Sequence, residues 1–563
     1  MSQSQPTDGS TNAPWWRDAV IYQVYIRSFA DDSGDGIGDI SGLRRRLPYL
    51  ADLGVDALWL NPWYTSPMAD GGYDVADYRD IDPAFGTLED ARGLIEDAHA
   101  QGLRIVIDIV PNHTSDQHAW FQEALAAEPG SPARDLYHFS PGKGVEGDEP
   151  PNDWRSVFGG PAWTRTTNAD GTPGEWYLHL FASEQPDLNW DNQVVRDEFE
   201  SILKFWFDLG VDGVRIDVAN SLLKAPGLPD VGSSDIELLT SDPEAGGPEH
   251  PHWDRNGVHE IFRGWRAVAD SYDDPRVFVA EAWVGTPQRL ARYVRPDELH
   301  TAFNFDYLQA PWRPARLRSA IDTSIAAISA VGAPPTWVLS NHDVARHVTR
   351  YAVEQTDSQI RSLAHVADAD IDLELGTRRA RAAALLMLSL PGGAYVYQGE
   401  ELGLWEVTDL PEELLQDPTW KRSEHTDRGR DGCRVPLPWS GAEPPFGYSP
   451  EDAHAEPWLP QPAGWKDLTP EAQAGDSGSM LELYRAALRI RRAQSALGDG
   501  ELTWESEPDA TVQSFTRVAP DFRCVVNFGS ESVELPEYRE VLLSSVPLED
   551  GRLPGDAAVW LAI

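Results

Sequence analysis

The sequence is short of cysteine and of positive charge. Cys433 and Cys524 are its only cysteines in 563 residues. That excludes a disulfide-stapled scaffold and a zinc site built on cysteines. There are 46 Lys and Arg against 91 Asp and Glu, a net charge of −45. Such a surface repels nucleic acid and anionic membranes and does not gather acidic ligands, so a small neutral partner is expected. No run of about 18 apolar residues offers a membrane span. The opening MSQSQPTDGSTNAPWW lacks the basic and apolar regions of a secretory signal. Together these features predict a cytoplasmic protein. Three motifs are also missing or incomplete. No Gly-x-Ser-x-Gly elbow occurs, GDGIGD lacks the spacing of a dinucleotide loop, and His259–Glu260 has no second His to complete a zinc-protease helix.

What is present is an alternation. Short apolar, β-branched runs at 20–29, 55–60, 104–110, 211–218, 276–283, 302–307, 336–341 and 393–398 read as strands. Helical patterns fall around 41–53, 89–101, 193–209, 258–271, 286–295, 313–330, 376–390 and 479–494. In 193–209, Val195, Phe199, Ile202, Trp206 and Leu209 recur at spacings of three and four, which makes one buried helix face. Eight strands alternating with eight helices predict an α/β fold, a (β/α)₈ barrel, over 14–111 and 187–497. Residues 112–186, rich in Pro, Gly, Asp and Trp, are too long for a plain loop and predict a small inserted domain after strand three. Residues 219–257 and 402–470 are long insertions after strands four and eight, expected over the C-terminal mouth of the barrel. The tail 498–563 predicts a small β domain, with RCVVNFG (523–529) as one strand.

Four acids sit at or just past strand ends: Asp108 in IVIDIV, Asp217 in VRIDV, Glu281 in VFVAE and Asp343 after VLSN. They should converge on the barrel mouth. Mutually repelling buried carboxylates are costly, so a purely structural role would need a partner for each. Arg215, two residues before Asp217, should share its side of the strand and keep it ionised. Two acids with opposed protonation states are what glycoside hydrolysis needs. One protonates the leaving oxygen, and the other either attacks the anomeric carbon or activates water. The separation that decides between those two is not written in the sequence.

DIVPNH (108–113), GVRIDVAN (213–220), EAW (281–283) and SNHD (340–343), with QPDLNW (185–190), occur in order. By these motifs the chain resembles the α-amylase superfamily, glycoside hydrolase family 13, and within it the α-glucosidase and oligo-1,6-glucosidase group. The resemblance runs from AVIYQVYIRSFADDSGDGIGDISG (19–42) to YQGEELG (397–403). It implies a retaining, exo-acting α-glucosidase on short α-glucosides. Asp217 would be the nucleophile, Glu281 the acid and then the base, and Asp343 the ionised grip on sugar hydroxyls. His113 and His342 would bind hydroxyls, Tyr73 would stack on the ring, and Asp74 would hold the far end of the glucose. In GRDGCRVPLPW (429–439), Arg430 would pair with Asp74 and close the pocket. Val218, after the nucleophile, leans towards α-1,6 linkages. Oligo-1,6-glucosidase or glucosyltransferase action on the same site is the near alternative. A non-catalytic relative that only binds sugar or a partner is the distant one.

The loop DDSGDGIGD (31–39) sets Asp31, Ser33, Asp35, the Ile37 carbonyl and Asp39 at alternate positions, an oxygen set suited to Ca²⁺ or Mg²⁺. Related glucosidases carry a similar loop, usually with Asn where this chain has Ser33. A structural rather than catalytic ion is expected.

Overall fold

Eight parallel strands form a ring: β1 (Val20–Val24), β2 (Ala57–Leu60), β3 (Arg104–Ile109), β4 (Gly213–Ile216), β5 (Val277–Ala280), β6 (Thr301–Ala302), β7 (Thr336–Val338) and β8 (Gly393–Tyr397). In this computed structural model the strands are hydrogen-bonded in the order β6-β5-β4-β3-β2-β1-β8-β7, so each lies beside its neighbour in the chain and β1 beside β8. Between β7 and β6, the Thr336 hydroxyl donates to the Ala302 carbonyl. The described residues are 14–168, 170–232, 247–357, 369–518 and 521–563. The segment 1–13 and part of the insertion at 219–257, residues 233–246, lie outside them.

Both faces of the strands are buried, which is why the runs are apolar without alternation. The period of two is still there in the packing. Ile21, Trp59, Val106, Val279, Val338 and Tyr395 form the cluster filling the ring. Their chain neighbours Tyr22, Leu58, Ile105, Phe278, Trp337 and Ala394 join the outer cluster under the helices. Asp108 pairs with Arg215 and Arg215 with Val279, so this register aims the arginine and the acid into the ring.

The helices follow their patterns: α1 (Ile40–Leu53), α2 (Leu88–Ala100), α3 (Gln193–Leu209), α4 (Val258–Ala269), α5 (Pro287–Tyr293), α6 (Pro314–Ser329), α7 (Leu373–Ser389) and α8 (Met480–Ala493). In α3 the buried face holds Val195, Phe199, Ile202 and Trp206. Asn192 caps its start, and left-handed Gly210 (φ 109°) ends it.

Several strand expectations are too long: 211–218, 276–283 and 336–341 shrink to β4, β5 and β7. Residues 20–29 extend only to Val24, and Ile26–Ser28 turn as a 3₁₀ helix. Residues 302–307 stop at Ala302, because the Asn304 side chain accepts from Tyr307 N (3.0 Å) and caps a short helix, Phe305–Leu308.

The segment after β3 carries a helix, Ala119–Ala126, and an antiparallel sheet of Phe139–Ser140, Pro173–Leu178 and Trp163–Thr167. That sheet packs around its own small core of Trp154, Trp163, Leu178 and Leu180. At its return, Asp187 meets the buried ammonium of Lys224 at 2.7 Å, tying QPDLNW to the loop after β4. The C-terminal strands Leu502–Trp504, Val512–Arg517, Phe522–Asn527, Glu540–Ser544 and Ala557–Ala562 form one antiparallel sheet. Trp560 docks this sheet on α7 by donating to the Leu385 carbonyl (3.0 Å).

Candidate active site

One guanidinium organises the ends of β3, β4 and β5. Arg215 Nη1 donates to Asp108 Oδ1 (2.7 Å) and Asp217 Oδ1 (2.8 Å), and Nη2 donates to Glu281 Oε2 (2.6 Å). The strand ladder continues past β4 and β5: Asp217 N donates to the Ile109 carbonyl (2.9 Å) and Glu281 N to the Ile216 carbonyl (3.0 Å). The two acids are therefore held by backbone as well as by Arg215. Val218 follows with φ 44°, a strained value for a β-branched residue. In that conformation its N–H reaches Glu281 Oε2 at 3.1 Å.

Three carboxylates around one cation cannot all be comfortable in their charged forms. Burial pushes the Asp217 carboxyl well up, Arg215 opposes the shift, and the charges of Glu281 and Asp108 add to it. Burial likewise raises Asp108 to about 6, although Arg215 and the Tyr73 hydroxyl hold it down. The cluster is built to keep a proton within it.

Asp343 is the opposite case. Burial works against its charge, yet the His342 ring N–H and the guanidiniums of Arg430, Arg434 and Arg215 outweigh it. Its carboxyl is held well below the usual range. Arg430 Nη1 and Arg434 Nη2 meet Asp343 Oδ1 at 3.0 and 3.1 Å.

Behind the acids runs a buried polar chain. Tyr73 OH donates to Asp108 Oδ2 (2.9 Å) and accepts from Asn61 Nδ2 (2.7 Å) and from His342 Nε2 (2.7 Å). Gln23 Nε2 donates to His342 Nδ1 (2.6 Å), which leaves the ring proton on Nε2. Burial depresses His342 well below the ordinary value and brings His113 down to about 4, so both rings are neutral. His113 faces the Tyr73 carbonyl (3.1 Å) and Gln185 (3.1 Å).

Asp70, Tyr73, His113, Asp217, Glu281, His342, Asp343 and Arg430 line one cavity of about 640 Å³. Its other walls include Phe158, Phe181, Val218, Trp253 and Trp283.

One expected contact is wrong. Arg430 does not pair with Asp74. Its Nη2 meets Asp70 Oδ1 at 2.7 Å, and its Nε meets Asp417 Oδ2 at 2.5 Å. Both oxygens of Asp74 are taken by the amides of Ala69 (2.8 Å) and Asp70 (3.0 Å), and the residue is fully buried and does not line the cavity. The chain turns through Gly71 (φ 59°) and Gly72 (φ 105°), which brings Asp70 rather than Asp74 to the opening. Asp70 was legible in the same ADGGYD segment, one turn earlier. Asp417 and Arg434 carried no such signal, because they come from the irregular insertion after β8.

The loop 31–39 lies away from this cavity. Asp31 accepts from the amides of Gly34 (2.7 Å) and Gly36 (3.0 Å). Asp39 accepts from those of Asp32 (3.0 Å), Ser33 (2.9 Å) and Gly42 (2.7 Å), capping α1. Asp35 accepts from Ile37 N (2.9 Å). The donor set is of the hard-oxygen kind, but the carboxylates are turned on the loop's own amides. Among the described residues no three acids converge as a cation cage.

A parallel ring with paired acids at its C-terminal mouth defines a carbohydrate-active barrel enzyme. Residues 23–500 match the family described as "Alpha amylase, catalytic domain". The chain is 39% identical over 543 residues to a probable alpha-glucosidase of Rhizobium meliloti, covering 93% of this chain and 92% of that one. It is 33% identical to an oligo-1,6-glucosidase of Parageobacillus thermoglucosidasius, covering 95% of each. The crystal structure of an alpha-glucosyl transfer enzyme, XgtA, superposes with a TM-score of 0.83 at 34% identity, over 98% of this chain and 99% of that one. The protein belongs to the α-amylase family, glycoside hydrolase family 13.

Proposed function

We propose that the protein is a retaining, exo-acting α-glucosidase that removes single glucose units from the non-reducing end of short α-glucosides. The observation that carries this reading is Arg215, which holds Asp217 and Glu281 together while leaving both open to one cavity. With the cluster's proton on Glu281, the Asp217 carboxylate attacks the anomeric carbon as the glycosidic bond breaks, and that proton goes to the leaving oxygen. In the second half Glu281 takes a proton from water, and the resulting hydroxide carbon bond replaces the Asp217 ester. Asp343, kept ionised, grips sugar hydroxyls and favours positive charge growing on the ring. The tie of Arg430 to Asp70 and Asp343 supports exo action, since a polymer cannot thread past it.

Maltose, isomaltose, sucrose and soluble starch assayed side by side test the specificity, and starch as the best substrate would defeat it. Asp217→Asn, assayed on an aryl α-glucoside, tests the chemistry: a loss of several orders of magnitude is expected. Interception of the ester by a sugar hydroxyl instead of water would give glucosyl transfer at the same site. The similarity to a glucosyl transfer enzyme favours testing for that product. Val218 supports a lean towards α-1,6 linkages.

Two further readings belong here. A divalent cation in the loop 31–39 rests on its oxygen-rich sequence and would serve stability, with no part in the chemical steps. A cytoplasmic setting is supported by two buried free cysteines. Among the described residues no helix is long and apolar enough to cross a membrane.

A further inference from the structure

The chemistry above gives Glu281 a proton that must face the leaving oxygen. Its carboxyl receives three donors, and they are divided unequally. Oε2 accepts from Arg215 Nη2 (2.6 Å) and from Val218 N (3.1 Å). Among the described residues Oε1 accepts from one group, the indole N–H of Trp283, at 3.0 Å. An oxygen that already receives a guanidinium and an amide is a poor place for a proton. Oε1 is therefore the oxygen that carries it, and the Trp283 donor sets the direction in which that oxygen points.

Trp283 is itself fixed from several sides. Its ring stacks on Phe305 with centroids 3.6 Å apart and planes at 17°. Its carbonyl accepts from Trp253 Nε1 (2.6 Å), and its amide donates to Asn220 Oδ1 (3.1 Å). Its side chain also lines the cavity beside Glu281 and Val218. A ring needed only to fill space would not need its N–H turned onto the acid. On the reading of the protein as an α-glucosidase, we propose that Trp283 is a positioning residue for the proton donor: its N–H holds Oε1 of Glu281 towards the leaving-group oxygen.

The need for a well-aimed proton depends on the leaving group. A sugar alcohol cannot depart without protonation, while a nitrophenolate needs little help.

The test is Trp283→Phe, which keeps an aromatic face against Phe305 and removes the N–H. Nitrophenyl α-glucoside and a disaccharide are assayed side by side. The expected result is a fall in kcat/KM of about 10-fold or more on the disaccharide, with less than about 3-fold on the nitrophenyl substrate. Retained turnover of the nitrophenyl substrate also shows that the variant is folded. Equal losses on both substrates would overturn the proposal and leave Trp283 as wall packing. Failure of the underlying reading shows elsewhere, as an Asp217→Asn protein that keeps its activity.

Discussion

Arg430 and Asp70 stand 360 residues apart in the chain and 2.7 Å apart in space. The same guanidinium reaches Asp343 at 3.0 Å and Asp417 at 2.5 Å, so one cation joins the loop after β2, the end of β7 and the insertion after β8. Asp417 shows how strongly the cation is held. Burial opposes its charge, yet Arg430 and Arg434 keep its carboxyl down at about 2. Arg215 does for the floor of the cavity what Arg430 does for its rim.

Removing the rim cation should therefore cost both binding and stability. Arg430→Ala removes the direct ion pair of the buried Asp417 carboxylate and leaves Arg434 as its remaining cation, a loss on the order of 3 kcal/mol by analogy with other broken buried pairs. Disaccharide kcat/KM should drop by about 100-fold, and longer oligosaccharides should lose less because the rim no longer stops them. Steady-state kinetics on a maltooligosaccharide series, with denaturant melts, checks both. Asp70→Ala should reproduce the kinetic effect. Asp74→Asn should lower thermal stability more than activity, since Asp74 serves the amides of Ala69 and Asp70.

Val218 should set part of the linkage preference. It faces the cavity from a strained left-handed conformation, next to the acid pair. Val218→Thr places a hydroxyl where there is now a methyl group. We expect the ratio of maltose to isomaltose kcat/KM to rise by about 10-fold. An unchanged ratio would move the preference to the long insertions.

Stability should fall as pH rises, through Glu400. This residue is buried, with Oε1 accepting from Tyr484 OH at 2.7 Å. Burial pushes its carboxyl from 4.5 up to about 8, although that hydrogen bond pulls the other way. A folded-state pKa above the unfolded one means the fold favours the neutral acid. The contribution is complete below about pH 4.5 and is lost as pH rises through about 8. Glu400→Gln should flatten the decline in Tm measured between about pH 5 and pH 9. The depressed Asp417 has the opposite sign, and its contribution disappears only as pH falls through about 2, outside that window.

If the loop 31–39 takes a divalent cation, chelation should lower Tm by several degrees and added Ca²⁺ or Mg²⁺ should restore it, with kcat unchanged below the melting range. The amides already engaged by Asp31 and Asp39 would then share those carboxylates with the ion. A Tm indifferent to both treatments would reduce the loop to a self-bonded turn capping α1.

The sequence by itself determined the ring, its helices and the acids at its mouth. These are local matters: periodicity along a helix or strand fixes which residues are buried, and an acid placed at the end of a parallel strand can go only to the C-terminal face. Residues 193–209 show it, with helix limits and buried face both readable before any fold was known. The short β6 was less legible, because the capping side chain of Asn304 overrides the strand-like composition around it. Only the tertiary structure decided which carboxylate meets Arg430. That choice depends on a glycine turn at 71–72 and on an irregular segment returning from beyond β8, where no repeat in the sequence records the distance between groups. The same holds for Trp283, whose place in EAW was plain but whose N–H could be seen to reach Glu281 only once the walls that hold the ring were in place.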